Sequence, residues 1–97
     1  MCGIVSTIGY TEDDVEVMLQ EIEHRGRDNR EIYQSGNVIL AHNRLSINDV
    51  SSDGNQPFVW NDYALVVNGE IWNYPQLRKE YEERGYRFFS NSDSEII

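Results

Sequence analysis

The hydrophobic period changes abruptly at Gly9, and that change narrows the folds open to this chain. Cys2–Ile8 is an apolar, partly β-branched run, the pattern of a buried strand, and Gly9-Tyr10 ends it. Past Thr11 the spacing is helical. Val15, Met18, Leu19 and Ile22 fall at i, i+3, i+4 and i+7, one apolar stripe of an amphipathic helix predicted over 12–23. Thr11 stands as its N-cap with Asp14 at the capping-box spacing, and acidic residues fill the first turn, where the helix dipole favours them. Strand and helix thus follow in immediate succession, and the chain mixes both kinds of element.

The rest continues in that manner. His24–Arg30 reads as a charged loop, and Glu31–Gln34 with Val38–Ala41 as a hairpin around Ser35-Gly36-Asn37. Leu45-Ser46-Ile47 reads as short and extended, with Leu45 and Ile47 buried and Arg44 alternating outward, and 48–55 is turn-rich. Phe58–Trp60 and Ala64–Asn68 form a second predicted hairpin across Asn61-Asp62, and Gly69 marks a sharp change of direction. Pro75 suits the first position of a second helix, with Leu77 and Tyr81 along it and Gly85 ending it. A strand is expected at Tyr86–Phe89, then a helix capped by Ser92-Asp93 that contains Ser94, Glu95, Ile96 and Ile97. Trp60, Trp72, Tyr74, Phe58, Phe88 and Phe89 read as core or helix-packing aromatics.

At 97 residues the chain is one domain at most. Its 39% hydrophobic and 11% aromatic content suffices for a core. A formal charge of −9 speaks against nucleic acid or an anionic membrane as partner, since both are bound by clustered Lys and Arg. One cysteine forms no internal disulfide, which fits a reducing compartment. No basic segment followed by an apolar run opens the chain, and no stretch is long enough to span a bilayer. The expectation is a soluble cytoplasmic protein without a nucleic-acid or membrane partner. His24 and His42 have no ligand-spaced companions, so neither a metal nor a cofactor is expected.

That single cysteine is Cys2, directly behind the initiator Met1. Methionine aminopeptidases remove Met1 before a small side chain, and Cys qualifies. The product carries a thiol and a free α-amine on one residue. The amine has an ordinary pKa of about 7.7–8.0, a base near neutrality beside a nucleophile, as acyl transfer requires. The alternative is a small buried residue, the common fate of a lone cysteine.

Three stretches together decide between these readings: Met1-Cys2-Gly3-Ile4, Ala41-His42-Asn43-Arg44-Leu45-Ser46-Ile47 and Val67-Asn68-Gly69-Glu70-Ile71-Trp72-Asn73. With His24-Arg25-Gly26 and Ser92-Asp93-Ser94-Glu95 in the same order, the chain resembles the class II glutamine amidotransferase domain of the asparagine synthetase type. It departs from the pattern at Arg27, where that family usually has Pro, and at Asn43, where Arg is more frequent. The likeness covers all 97 residues and the N-terminal half of the family domain.

The resemblance implies an α+β fold, an N-terminal-nucleophile hydrolase αββα sandwich, here its N-terminal half over residues 1–97. It implies hydrolysis of the glutamine side-chain amide through a thioester on Cys2, giving glutamate and ammonia, with the ammonia passed to a synthetase domain or chain. By motif, Cys2 resembles the nucleophile and its α-amine the proton shuttle. Asn68 (side-chain amide) and Gly69 (backbone N–H) resemble the oxyanion hole. Arg44 resembles the ligand of the substrate α-carboxylate, and Glu70 and Asp93 the acceptors of its ammonium. The chemistry is coherent: a planar guanidinium grips a carboxylate, an acceptor-only carboxylate suits an ammonium, and preorganised donors stabilise a tetrahedral oxyanion.

Taken singly, each residue has a structural reading: Arg44 as a surface cation, Asn68-Gly69 as a turn, Glu70 as a solvated carboxylate, Asp93 as an N-cap. The rival function is a shortened, catalytically silent relative that binds a partner or senses glutamine. Half a sandwich is further expected to leave an apolar sheet face open to water, and so to pair with a partner, a second copy or the rest of its domain, or else to be rebuilt into a smaller fold that covers that face.

Overall fold

Three antiparallel strands organise the first half of the chain in the computed structural model, which describes residues 1–97. Strands β1 (Gly3–Ile8), β2 (Asn29–Ser35) and β3 (Val38–Arg44) form one sheet in the order β1-β3-β2. Helix α1 (Glu12–Glu21) joins β1 to β2. A two-stranded ribbon follows, β4 (Phe58–Trp60) and β5 (Tyr63–Leu65), and then helix α2 (Tyr74–Glu83). The chain is α+β.

Register explains which face of the sheet is covered. Val5 pairs Ala41 and Thr7 pairs Ile39 across β1 and β3, while Ile32 pairs Ala41 across β2 and β3. Alternate residues share a face, so these side chains stand together under α1. Val15 and Leu19 of that helix are fully buried with Ile39 and Ala41, and Val5, Ile22 and Ile32 pack around them. Each such large apolar side chain contributes about 1.5–3 kcal/mol of burial. The opposite face carries Ile4, Ile8, Val38, Leu40 and His42. There Ile4 is 43% exposed and Ile8 70%.

The capping box is formed as expected. Asp14 N–H donates to Thr11 Oγ1 at 3.2 Å, and Thr11 N–H returns a bond to the Asp14 carboxylate at 3.0 Å. The helix stops at Glu21, two residues before the predicted end, because the next turn tightens to a 3₁₀ form over Glu23–Arg25. The first hairpin turns at Gly36 (φ 58°), and α2 ends before Gly85 (φ 94°), both left-handed positions that favour glycine.

Several boundaries differ from the sequence reading for one physical reason, the competition for backbone groups. Strand β2 begins inside the expected charged loop, at Asn29, and β3 runs to Arg44 rather than Ala41, because β1 and β2 both pair along this length. Leu45–Ile47 is not a strand: Leu45 N–H donates to Cys2 Sγ at 3.3 Å and Ser46 N–H to Asp28 at 2.7 Å. Tyr86–Phe89 is not one either, since Tyr86 N–H bonds the Tyr81 carbonyl and Phe89 N–H the Glu95 carboxylate. Strand β5 stops at Leu65, and the Val67 backbone bonds to side chains instead. The expected final helix is a 3₁₀ turn, Asp93–Ile96, capped by Ser92, whose hydroxyl accepts from Ser94 N–H.

Burial also corrects two expectations. Arg44 is 6% exposed whereas Leu45 and Ile47 face water, the reverse of the predicted alternation. Phe58 is buried and stacks edge-on against Phe89 at 5.7 Å. Trp60 (65% exposed) and Trp72 (87% exposed) are not core aromatics.

Candidate active site

Antiparallel pairing of β1 with β3 sets Gly3 opposite Asn43, and so brings Cys2 beside the end of β3. The thiol sits against Leu45, accepting its N–H at 3.3 Å and lying 3.6 Å from its carbonyl oxygen. Arg25 fixes the other side, its Nε donating to the Cys2 carbonyl at 2.9 Å. Gly26 is the close approach that allows this: a Cβ there would lie 2.5 Å from the Arg44 carbonyl carbon. Within His24-Arg25-Gly26, Arg25 and Gly26 thus pack behind the cysteine, whereas His24 is exposed.

Arg44 is the one Arg or Lys side chain lining the adjoining cavity. Its Nη1 donates to the Ser51 carbonyl at 2.5 Å and to Asn55 Oδ1 at 2.7 Å, and its Nη2 donates to the Asp49 carbonyl. Gly54 packs flat on the guanidinium, where any Cβ would collide. Asp49 organises the same loop, accepting from Ser51 N–H (2.8 Å), the Ser51 hydroxyl (2.6 Å) and Asn91 N–H (2.7 Å). The Ser51 hydroxyl, then the Asn91 N–H, holds the Asp49 carboxyl below its ordinary range, with Arg44 adding to the effect.

Segment 67–71 forms the opposite wall. His42 Nε2 lies 3.2 Å from the Val67 carbonyl oxygen, and Val67 N–H donates to Gln56 Oε1 at 2.6 Å. At the far end Ile71 N–H donates to Asp93 Oδ2 at 2.7 Å. Between these anchors no backbone N–H of 68–70 is occupied by a protein acceptor. Asp93 is buried at 4% exposure while Glu70 is exposed.

The cavity enclosed by these walls measures about 430 Å³. Cys2, Arg44, Asn68, Gly69, Glu70 and Asp93 all line it, although they come from four separate stretches of chain. It holds a thiol, a guanidinium, three carboxylates (Asp49, Glu70 and Asp93) and free N–H donors, groups of the kinds that acyl transfer on a zwitterion requires. His42, Asp49 and Gln56 also line it and were not singled out from sequence for this site. Their signal was polar character at positions that turn out buried, which a sequence shows only once the pairing is known. Asn43, one of the two departures from the family pattern, is buried too and bonded at both ends of its amide: its Nδ2 donates to the Leu19 carbonyl at 2.8 Å and its Oδ1 accepts from Arg30 at 3.1 Å.

The glutamine amidotransferase domain family matches residues 1–97, the whole chain. The chain belongs to that family. Among its relatives are asparagine synthetase B (glutamine-hydrolysing) of Escherichia coli strain K12, 44% identical over 106 residues. Glutamine-hydrolysing asparagine synthetase 1 of Bacillus subtilis strain 168 is 39% identical over 107 residues, and that of Arabidopsis thaliana 38% over 105. All of this chain is covered in each case, against 19%, 17% and 18% of those proteins respectively. The chain thus spans less than a fifth of the length of the relatives it matches. No helix is long and apolar enough to cross a membrane.

Proposed function

We propose that this chain is the N-terminal part of a glutamine-hydrolysing amidotransferase domain. In this reading Cys2, freed of Met1, attacks the side-chain amide carbon of glutamine, its own α-amine taking the thiol proton and returning it to the departing ammonia. A thioester remains, and water hydrolyses it to glutamate. Asn68 Nδ2 and Gly69 N–H hold the oxyanion, Arg44 the substrate carboxylate, and Asp93 and Glu70 its ammonium. The observation that carries the proposal is the convergence of all six residues on one cavity beside the Cys2 thiol. The unoccupied N–H groups of 68–70 support the oxyanion assignment.

The finer fold belongs to the same proposal: an αββα sandwich, in which the β1-β3-β2 sheet carries α1 on its outer face and receives a second sheet on the face of Ile4, Ile8 and Val38. The ammonia would be used by a synthetase domain or chain, the activity named for the relatives. A silent relative gains no support from a cavity that keeps all six residues. A diazo-ketone analogue of glutamine tests the reading. It should add once, at Cys2, with loss of labelling in Cys2→Ala. Equal labelling of the Ala variant, or none of the processed wild type, overturns it.

A further inference from the structure

Val67 is held from both sides by buried side chains. His42, with no solvent exposure, meets its carbonyl oxygen at 3.2 Å, and Gln56, 5% exposed, accepts its N–H at 2.6 Å. A carbonyl only accepts, so neutral His42 carries its proton on Nε2. Its Nδ1 is then a buried acceptor with no partner. Burying a polar ring with one nitrogen unsatisfied costs stability that an apolar residue of similar size on β3 would not incur. The bond to Val67 is the one polar contact the ring makes.

We propose that His42 and Gln56 are positioning residues that clamp Val67 and thereby aim Asn68 and Gly69 at the oxyanion; the inference rests on the oxyanion assignment above. Asn68 and Gly69 make no backbone hydrogen bonds within the protein, so nothing in secondary structure fixes their direction. They hang between two tethers, Val67 on one side and Ile71, bound to Asp93, on the other. Strand β5 has already ended at Leu65, so His42 and Gln56 replace the ladder that would otherwise set the course of residue 67. Such donors act only when correctly placed before the charge develops, and a displacement of about 1 Å can cost on the order of 10²-fold in rate. The clamp therefore acts on kcat and leaves glutamine affinity, which Arg44 and the carboxylates govern, nearly unchanged.

Glutaminase kinetics of the natural full chain test this, using His42→Leu, His42→Gln, Gln56→Leu and Asn68→Ala. His42→Leu and Gln56→Leu should each lower kcat about tenfold, less than the roughly 10²–10³ for losing an oxyanion donor outright, with KM for glutamine unchanged. His42→Gln places an amide N–H where Nε2 stood and should recover most of the rate. In the Asn68→Ala background the His42→Leu loss should shrink, because the clamp then has one donor fewer to aim. Fully additive losses, a raised KM, or no rescue by His42→Gln overturn the clamp while the site reading stands. Unchanged kcat in Asn68→Ala itself overturns the oxyanion assignment and the clamp with it. Thermal unfolding checks each variant, and Gln56→Leu carries the test if His42→Leu does not fold.

Discussion

Arg44 commits three of its five N–H donors to loop 49–55, to Ser51, Asn55 and Asp49. Two remain for a substrate, on Nε and Nη2. The side chain is thus both the keystone of the loop and the cation of the cavity; lysine keeps the charge but, with three donors on a single atom, cannot serve loop and carboxylate together. Arg44→Lys is expected to raise KM for glutamine and also to lower the melting temperature, since hydrogen bonds to a charged group contribute about 1.5–3 kcal/mol each. Asn68→Ala should behave oppositely, lowering kcat about 10²–10³ with an unchanged melting temperature, because the Asn68 side chain bonds nothing in the protein. Steady-state kinetics paired with calorimetry separates the two. Matching phenotypes would mean the roles are misassigned.

Among the elements, α1 is the one whose local chemistry and packing agree most fully. Its cap, first-turn carboxylates and apolar stripe were all legible, and Val15 and Leu19 of that stripe are fully buried. Thr11→Ala removes the Oγ1 acceptor of Asp14 N–H and should cost about 1 kcal/mol in denaturant unfolding. Leu19→Ala, at the centre of the small core, should cost about 2–5 kcal/mol. A larger loss from the cap than from the core would contradict the packing described. The segments that escaped the sequence reading, Leu45–Ile47 and Tyr86–Phe89, have strand-like composition but no strand beside them. Their N–H groups are taken by Cys2, Asp28, Tyr81 and Glu95. Propensity describes a residue's fit to a sheet and cannot supply the neighbour.

Over the whole molecule, three groups set the response to acid: His42 in an upper range, and in a lower one Asp49 together with Asp14, whose carboxyl the Thr11 backbone N–H and then the Thr11 hydroxyl hold below its ordinary 3.8. Burial, and to a lesser degree Arg44, lowers the His42 pKa below its ordinary 6.5, while the Val67 carbonyl opposes the shift. The unfolded state then binds more protons, so this share of stability is complete above about pH 6.5 and is lost as pH falls from there through the lowered folded value. Asp49 is lowered from 3.8, and its contribution is lost only as pH falls below about 4. Stability should therefore decline in two stages. His42→Gln, which cannot titrate, should abolish the upper stage and spare the lower, as melting temperature against pH would show; persistence of the upper stage would assign it to another group. The uncovered sheet face gives a second expectation at this scale. Residues 1–97 alone should self-associate in sedimentation, and Ile8→Lys should reduce it.

The reading of residues 1–97 by themselves reached the α+β class, the first helix with its cap, both hairpins and six candidate site residues. These rest on local spacing, turn chemistry and motif, which are properties of neighbouring residues. Tertiary structure alone decided that Arg44 is buried while Leu45 and Ile47 are exposed, and that Trp72 faces water. It also decided that His42 and Gln56, 14 positions apart, meet on one backbone unit. Burial of a polar side chain depends on partners supplied from elsewhere in the chain, and those partners exist only once the sheet has set its register.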